Sequence, residues 1–253
     1  RKLNKRILDY LHEKEDHIRM DDSTHPFSVL IGPNDARLTT RYEGTGFARV
    51  TSSTIHEYGH TLYNLSAHET LHYTPIGEVS SLVLHESQSR FWENIVGASK
   101  QFLGRFLSDI HSLSPLLKNA ELEEIYRYVN MVKPSLIRVE ADEVTYHFHV
   151  MIRFELEQEL FNGKLKVKDL PNAWNAAYKK YLGVTPPNNA LGVLQDIHWG
   201  DGTFGYFPTY SMGTALSAMW KHFMEKELGS VDNLVGNKEG IRKIRAWYKK
   251  NIH

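Results

Sequence analysis

The sequence His-Glu-Tyr-Gly-His at residues 56–60 constrains the fold of this chain more than any other feature. Apolar residues surround it with the spacing of one face of an α-helix, at Ile55, Tyr58, Leu62 and Leu65. The polar residues at 51–53 can cap or lead into such a helix. Because residues four apart share one helix face, the sequence predicts a helix that presents His56 and His60 side by side.

Two imidazoles one helical turn apart can bind the same metal ion, and this pattern is the signature of zinc peptidases. Glu57, directly after the first histidine, can act as general base toward a water molecule on that metal. A catalytic zinc also needs a third protein ligand and one position left open. Glu86 lies on a second predicted helix, and the chain after His60 is long enough for that helix to face back. We therefore predict His56, His60 and Glu86 as metal ligands.

The same pattern recurs as His-Glu-Thr-Leu-His at residues 68–72, which raises an alternative site. Pro75 follows so closely that a helix would end near His72, and the connection to Glu86 becomes short. We interpret this second match as a chance match in a loop. Surface or hydrogen-bonded positions are the simplest interpretation of its histidines and of His85, which could also orient a metal ligand.

Helical patterns account for most of the rest of the chain. Further helices are predicted near residues 3–11, 78–106, 120–132, 141–161, 171–182, 212–228 and 240–250. Residues 27–31 and 37–42 predict two short strands around a Gly-Pro-Asn-Asp turn, the one convincing β pattern. We therefore expect a mainly α fold in a single domain spanning residues 1–253, with a small β element.

Composition excludes several classes of protein. The 30 basic and 30 acidic residues balance, so no global positive field favours a nucleic-acid partner or an anionic membrane surface. The apolar runs fall well short of the roughly 20 residues that a membrane-spanning helix needs. The absence of cysteine excludes disulfides and thiolate metal ligands. Together with a charged N-terminal stretch unlike a signal peptide, these features predict a cytoplasmic protein.

Several motifs occur in a fixed order along the chain. They are His-Pro-Phe at 25–27, Asp-Ala-Arg-Leu-Thr at 35–39, His-Glu-Tyr-Gly-His at 56–60, His-Glu-Ser-Gln at 85–88, Ile-Arg-Val-Glu-Ala-Asp at 137–142 and Gly-Val-Leu-Gln-Asp-Ile-His-Trp at 192–199. In these motifs the chain resembles the carboxypeptidase Taq family of zinc metallocarboxypeptidases. The resemblance implies an enzyme that removes C-terminal residues from peptides. It also implies His56, His60 and Glu86 as zinc ligands and Glu57 as general base.

The family resemblance also sets expectations for the architecture. Its members look like distant relatives of neurolysin and angiotensin-converting enzyme, with a zincin-like helical fold around a deep groove. They are considerably longer than this chain, so we expect these residues to form the C-terminal, zinc-bearing portion without the N-terminal helices. The resemblance also implies a homodimer. At the predicted metal site of His56, His60 and Glu86, cobalt could substitute for zinc.

A carboxypeptidase must recognise a free C-terminal carboxylate, and the planar fork of an arginine suits that task. Arg138, in the Ile-Arg-x-x-Ala-Asp motif, is the first candidate. Arg37 is the second, although Asp35, two residues away on the same predicted strand, can pair with it locally. His25 is a candidate for holding the substrate backbone or for donating to the oxyanion.

Hydrolysis also needs a donor to the oxyanion that develops on the scissile carbonyl. In relatives of the family a tyrosine of the C-terminal half has this role. The resemblance therefore points to Tyr206 or Tyr210, with a slight preference for Tyr206. His198 is another candidate donor, and Asp196 could orient its ring.

Two other functions are kept as alternatives. An oligopeptidase would use the same site to cut peptide bonds internally. A catalytically inactive zinc-binding fragment, or a binding module, would hold the metal without hydrolysing anything. The complete ligand set and the intact Glu57 argue against a decayed site.

Overall fold

The computed structural model describes residues 1–12, 17–42, 46–77, 81–113 and 115–253. The chain divides into two compact units. The first unit comprises Arg1–Val129 and Gly213–His253, and the second comprises Asn130–Met212. The expectation of a single domain over the whole chain stays a prediction.

Helices make up most of the described structure, as predicted. They are α1 (Lys2–Leu11), α2 (Phe47–Asn64), α3 (Leu82–Arg90), α4 (Lys100–Arg105), α5 (Leu107–His111), α6 (Leu122–Val129), α7 (Glu143–Phe161), α8 (Leu170–Leu182), α9 (Pro208–Leu228), α10 (Val231–Leu234) and α11 (Lys238–Asn251). Helices α7 and α8 belong to the second unit, and α9 begins in the second unit and ends in the first. None of the described helices is both long and apolar enough to cross a membrane.

A three-stranded sheet lies in the first unit. Its strands are β1 (Ile18–Asp22), β2 (Ser28–Gly32) and β3 (Asp35–Thr40), and β3 is central in the order β1-β3-β2. Strand β1 pairs with β3 in parallel, and β2 pairs with β3 in antiparallel orientation. The two predicted strands are confirmed with shifted ends. Strand β1 was missed because its sequence, Ile-Arg-Met-Asp-Asp, carries three charged residues and little apolar alternation.

The long helix predicted over residues 78–106 is interrupted, and its first three residues lie outside the described part of the chain. Helix α3 starts after Ser81, whose Oγ accepts a hydrogen bond from the backbone N–H of Leu84. A π-helical segment, Phe91–Gly97, continues α3 directly. Ser99 then caps α4 in the same manner. The apolar spacing predicted helix here but carried no signal for the wider π-helical turns.

The core of the first unit forms around α2 and the π-helical segment. Ile55 and Tyr58 of α2 are fully buried in one cluster with Phe91 and Trp92. The rings of Tyr58 and Trp92 meet edge to face with centroids 5.3 Å apart, a favourable aromatic geometry. The Tyr58 hydroxyl donates to the carbonyl oxygen of Leu11 at 2.7 Å, which ties α2 to α1. The apolar face of α2 therefore anchors this helix in the core.

The second unit has its own core between α7 and α8. Ile152 and Leu156 of α7 cluster with Trp174 and Tyr178 of α8. The two aromatic rings of α8 stack at 5.2 Å with an angle of 19° between their planes. Residues 183–207 then form turns without a helix or strand. This long connection carries the sequence motif at residues 192–199.

Two glycines allow α3 to contact its neighbours backbone to backbone. A Cβ added to Gly59 of α2 would lie 2.6 Å from the Cα of Ser89 and 2.7 Å from the carbonyl oxygen of Gln88. A Cβ added to Gly213 of α9 would lie 2.8 Å from the Cβ of Glu86. Both contacts are far shorter than real Cβ atoms tolerate, so glycine is required at these two positions for the observed packing.

Replacing Gly59 with alanine is expected to destabilise the protein, although alanine favours helices more than glycine does. The new methyl group would meet backbone atoms of α3, which cannot turn aside as the end of a side chain can. Overpacking of this kind typically costs about 1–3 kcal/mol of unfolding free energy. The melting temperature of Gly59→Ala should therefore fall.

Gly32→Ala is the matched control, because no atom lies within 4 Å of a Cβ built at Gly32. Its melting temperature should stay close to that of the unaltered protein. Equal melting temperatures for Gly59→Ala and Gly32→Ala would contradict the close packing of α2 against α3.

Candidate metal centre

Helices α2 and α3 bring the three predicted metal ligands together. His56 and His60 stand one turn apart on α2, and Glu86 reaches them from α3. The Glu86 Oε2 atom lies 3.7 Å from the Nε2 atom of each histidine. One ligand atom from each residue falls within 4.8 Å of the others. We call His56, His60 and Glu86 the ligand trio.

The chemistry of the ligand trio fits a bound metal ion. Two imidazole nitrogens and one carboxylate oxygen match the donor set of a catalytic site that keeps one position open. Glu86 is only 2% exposed, and a buried carboxylate is costly unless a cation or hydrogen bonds balance it. Ser89 donates one hydrogen bond to Glu86 Oε2 at 2.9 Å. In the part of the chain that the structure describes, the ligand trio is the one group with metal-binding geometry.

Glu93 of the π-helical segment fixes the ring of His56. Its Oε2 atom lies 2.9 Å from His56 Nδ1 and accepts a hydrogen bond from Arg90, and its Oε1 atom accepts one from Ser52. When Nδ1 of His56 carries the proton and donates a hydrogen bond to Glu93, the lone pair of the ring is on Nε2. That nitrogen lies on the side of Glu86 and is the atom that can bind a metal. Burial lowers the pKa of His56, but the surrounding carboxylates, Glu93 first, outweigh this and raise the pKa to about 9, so a metal that binds at neutral pH must displace a proton from His56.

His60 has a different neighbour behind its ring. Its Nδ1 atom is in hydrogen-bond contact with Nδ1 of His85, and the two ring centroids are 4.4 Å apart. The other nitrogen of His85, Nε2, lies 3.0 Å from Oδ1 of Asn64. Burial, and then the nearby His56, lower the pKa of His60 well below its usual value. A neutral His60 is the form that can bind a metal.

Glu57, the predicted general base, is buried beside the ligand trio. Burial raises the pKa of its carboxyl to about 7, although His56 and a hydrogen bond from Ser28 of strand β2 act in the opposite direction. A base with a pKa near neutrality can both take and release a proton at neutral pH. The environment of Glu57 therefore suits the predicted role.

The second His-Glu-x-x-His pattern does not form an α-helix. Glu69–Leu71 makes a single 3₁₀ turn. The Nδ1 atom of His68 lies 2.8 Å from the Thr70 hydroxyl, and Nε2 of His72 lies 3.1 Å from the carbonyl oxygen of Ala67. These local contacts agree with the interpretation of this stretch as a loop.

Arg138, the candidate for carboxylate recognition, lies in the second unit and is only 3% exposed. Its Nε and Nη2 atoms both donate to Asp196 Oδ1 at 2.8 Å, and Nη1 donates to the Tyr146 hydroxyl at 2.5 Å. The other carboxylate oxygen of Asp196 accepts from Arg153 at 2.6 Å. Both oxygens of Asp196 thus bind arginines, whereas the sequence suggested that Asp196 could orient His198.

His198, Tyr206 and Tyr210 form a cluster in the same unit. The Nε2 atom of His198 lies 3.3 Å from the Tyr210 hydroxyl. The ring of Tyr206 lies 5.2 Å from that of Tyr210 and 5.4 Å from that of His198. The structure thus brings the three candidate oxyanion donors together, while their catalytic role stays a prediction.

The two remaining candidates lie on or next to the sheet. Arg37 donates from Nε and Nη2 to the two carboxylate oxygens of Asp35, at 2.6 and 2.7 Å. This bidentate pair is the local pairing that the sequence suggested as the alternative for Arg37. His25 is exposed, and its Nδ1 atom lies 2.7 Å from the carbonyl oxygen of Pro26.

Sequence reasoning missed Glu93 and Arg153, although both make close polar contacts in this protein. Glu93 follows Glu86 by seven residues, a spacing that returns to nearly the same helix face. That spacing could have indicated from the sequence that Glu93 lies near Glu86. Arg153 lies on α7 between apolar positions, where a charged residue normally needs a buried partner.

A family model of the carboxypeptidase Taq (M32) metallopeptidases matches residues 1–253. The chain belongs to this family. It is 45% identical over 235 residues to thermostable carboxypeptidase 1 of Pyrococcus furiosus, a match that covers 93% of this chain and 47% of the relative. Carboxypeptidase 1 of Bacillus subtilis is 41% identical over 236 residues, with the same two coverages.

Solved structures of the family share the fold of this chain. A structure of Pyrococcus furiosus carboxypeptidase matches 100% of this chain and 51% of its own, with a TM-score of 0.94 and 43% identity. Trypanosoma cruzi metallocarboxypeptidase 1 matches 98% of this chain and 52% of its own, with a TM-score of 0.89 and 34% identity. The chain therefore spans about half the length of these relatives, and the suggested kinship with neurolysin and angiotensin-converting enzyme stays untested.

Replacing Glu93 with glutamine is expected to weaken metal binding. The amide keeps the shape of the side chain but loses the negative charge behind His56. Loss of such a partner typically costs about 10- to 100-fold in metal affinity. The dissociation constant can be measured by competition with a chromogenic chelator.

Glu123→Gln is the control, since Glu123 pairs with Lys100 and Arg127 at the surface. Its metal affinity should equal that of the unaltered protein. A Glu93→Gln variant that binds metal as tightly as Glu123→Gln would disprove the supporting role of Glu93.

The buried histidine of α7 predicts how stability depends on pH. His149 is fully buried with Nδ1 3.0 Å from the Tyr178 hydroxyl, and burial, then Arg153 and Arg138, lower its pKa to about 3. The unfolded chain binds this proton near pH 6.5, so stability is lost as the pH falls from about 6.5 toward 3. One such group contributes a slope of about 1.4 kcal/mol per pH unit over this range.

Urea unfolding of the unaltered protein and of His149→Gln between pH 7 and 5 measures this slope. The variant should lose less stability as the pH falls, whatever its stability at pH 7. Parallel pH profiles for the two proteins would rule out a neutral, buried His149.

Proposed function

We propose that this chain forms the metal-bearing part of a metallocarboxypeptidase that removes C-terminal residues from peptides. The observation that carries the proposal is the meeting of the ligand trio with a buried Glu57, in a member of a metallopeptidase family. Relatives from Pyrococcus furiosus and Bacillus subtilis are named carboxypeptidases.

We propose zinc as the metal, held by His56, His60 and Glu86. Two neutral imidazoles and one carboxylate are the ligands of several catalytic zinc sites, and cobalt suits the same donor set. The metal, when bound, supplies Lewis-acid activation of a water molecule and of the scissile carbonyl.

Glu57 acts as the general base in this proposal. Its carboxylate takes a proton from the attacking water and passes it to the leaving amine. Ser28 donates a hydrogen bond to Glu57 and so holds the carboxylate in one orientation. Burial keeps bulk water from competing for the same oxygen atoms.

Arg138 remains our candidate for the C-terminal carboxylate of the peptide. An arginine has five N–H donors, and Asp196 and Tyr146 occupy three of those of Arg138. In this proposal the other two would donate to a substrate carboxylate. Asp196 holds the guanidinium in a fixed plane, which favours bidentate recognition.

The remaining assignments rest on the family resemblance. Tyr206, Tyr210 or His198 would donate to the oxyanion, and Arg37 and His25 would contact the substrate elsewhere. A homodimer of the full-length protein is part of the same proposal.

Glu57→Gln tests the role of the base in the full-length protein that carries this chain. Peptide hydrolysis should fall by more than about 10²-fold, because the amide cannot accept the proton of the water. Metal content, measured by atomic emission, should stay the same as in the unaltered enzyme. Loss of the metal from this variant would instead assign Glu57 to the structure of the metal site.

A pair of matched peptides tests the direction of cutting. One peptide has a free C-terminus and the other has the same sequence with a C-terminal amide. We expect mass spectrometry to show stepwise removal of C-terminal residues from the free peptide and little cleavage of the amide. Equal cleavage of both at internal bonds would favour the oligopeptidase alternative, and no cleavage of either by metal-loaded protein would favour a non-catalytic metal-binding module.

A further inference from the structure

His85 stands behind the metal ligand His60 in a position that no part of the proposed mechanism uses. Its Nδ1 atom is in hydrogen-bond contact with Nδ1 of His60, and its Nε2 atom lies 3.0 Å from Oδ1 of Asn64. Asn64 and His60 are four residues apart on α2, so both face His85 from the same side of that helix. The rings of Tyr63 and His85 also pack edge to face, with centroids 5.3 Å apart.

The Asn64 amide is oriented with Oδ1 toward His85, and this orientation sets the order of donors and acceptors. Oδ1 of Asn64 is an acceptor, so Nε2 of His85 must carry the proton of that hydrogen bond. A neutral His85 then has a lone pair on Nδ1, which accepts from Nδ1–H of His60. A neutral His60 protonated on Nδ1 has its lone pair on Nε2, the atom that faces Glu86.

We propose that His85, itself oriented by Asn64, is a positioning residue that holds His60 in the metal-binding tautomer. The relay of Asn64, His85 and His60 keeps the lone pair of His60 Nε2 directed toward Glu86. This inference rests on the proposed metal site, but it concerns the affinity of that site and not the peptide chemistry.

The geometry separates this role from that of a fourth metal ligand. Both ring nitrogens of His85 face other side chains, one toward His60 and one toward Asn64. The group of ligand atoms that lie within 4.8 Å of one another comprises His56, His60 and Glu86 and does not include His85. His85 therefore acts on the metal only through His60.

The two ligand histidines are consequently supported by partners of different charge. Glu93 places a carboxylate behind His56, with Oε2 2.9 Å from His56 Nδ1. His85 places a neutral imidazole behind His60, which fixes the tautomer without adding negative charge. The centre thus has one imidazole ligand backed by a carboxylate and one backed by a neutral imidazole, a difference that a second carboxylate would remove.

Substitutions of His85 test the proposal through metal affinity. His85→Phe keeps an aromatic ring against Tyr63 but removes the acceptor for His60, and we expect its zinc dissociation constant to rise about 10- to 100-fold. His85→Gln supplies a carbonyl oxygen that can accept from His60 Nδ1–H, and we expect it to recover most of that loss. His72→Phe, in the neighbouring loop, is the control and should leave zinc affinity unchanged.

The tautomer itself can be observed in the metal-free protein. Long-range ¹H–¹⁵N NMR spectra of the imidazole rings should show His60 protonated on Nδ1 in the unaltered protein and in His85→Gln. In His85→Phe the same ring should populate both tautomers. This measurement stays informative if His85→Phe is too unstable for titration, because the unaltered protein alone must show the Nδ1–H form.

Two results would overturn the proposal. One is a His60 ring protonated on Nε2 in the unaltered, metal-free protein. The other is a folded His85→Phe variant that binds zinc within about threefold of the unaltered protein, well inside the 10- to 100-fold range expected. If the proposed peptidase function failed instead, the affinity and tautomer results would stand unchanged, since neither requires hydrolysis.

Discussion

The distance between the backbones of α2 and α3 decides whether this chain has a metal centre at all. His56 and His60 come from one helix and Glu86 from the next, and the three meet because the two backbones touch with no side chain between them. Gly59 permits this contact, since any larger residue would collide with α3. A residue inside the five-residue motif that binds nothing therefore sets the position of the third ligand.

The balance of buried charge gives the same centre its preference for a cation. The carboxylates of Glu57, Glu86 and Glu93 all act on the ring of His56. Arg90 offsets one of them through its hydrogen bond to Glu93. Without a metal a protonated His56 offsets part of the remaining negative charge, and a divalent cation at the ligand trio would take the place of that proton. Metal binding and the stability of the fold are linked through this balance.

Much of this arrangement could be predicted from the sequence, because it follows from the period of a helix. The spacing of His56 and His60 and the distance along the chain to Glu86 were enough to predict the ligand trio. The partners of buried polar side chains were harder to predict, since many acceptors lie within reach of any one of them in a folded chain. Asp196 illustrates this, because it binds Arg138 and Arg153 and not the nearby His198 that sequence proximity suggested.

Contact between bare backbones also has a mechanical consequence. Side chains that lie between two helices permit small shifts of one helix against the other, because their rotamers can change. Helix α3 lacks that compliance at Gly59 of α2 and at Gly213 of α9, where its own backbone is the contact surface. Any displacement of α2 or α9 must therefore carry Glu86 along. The geometry of the centre is stiff along these helices, and its properties can be adjusted only through side chains behind the ligands, such as Glu93 and His85.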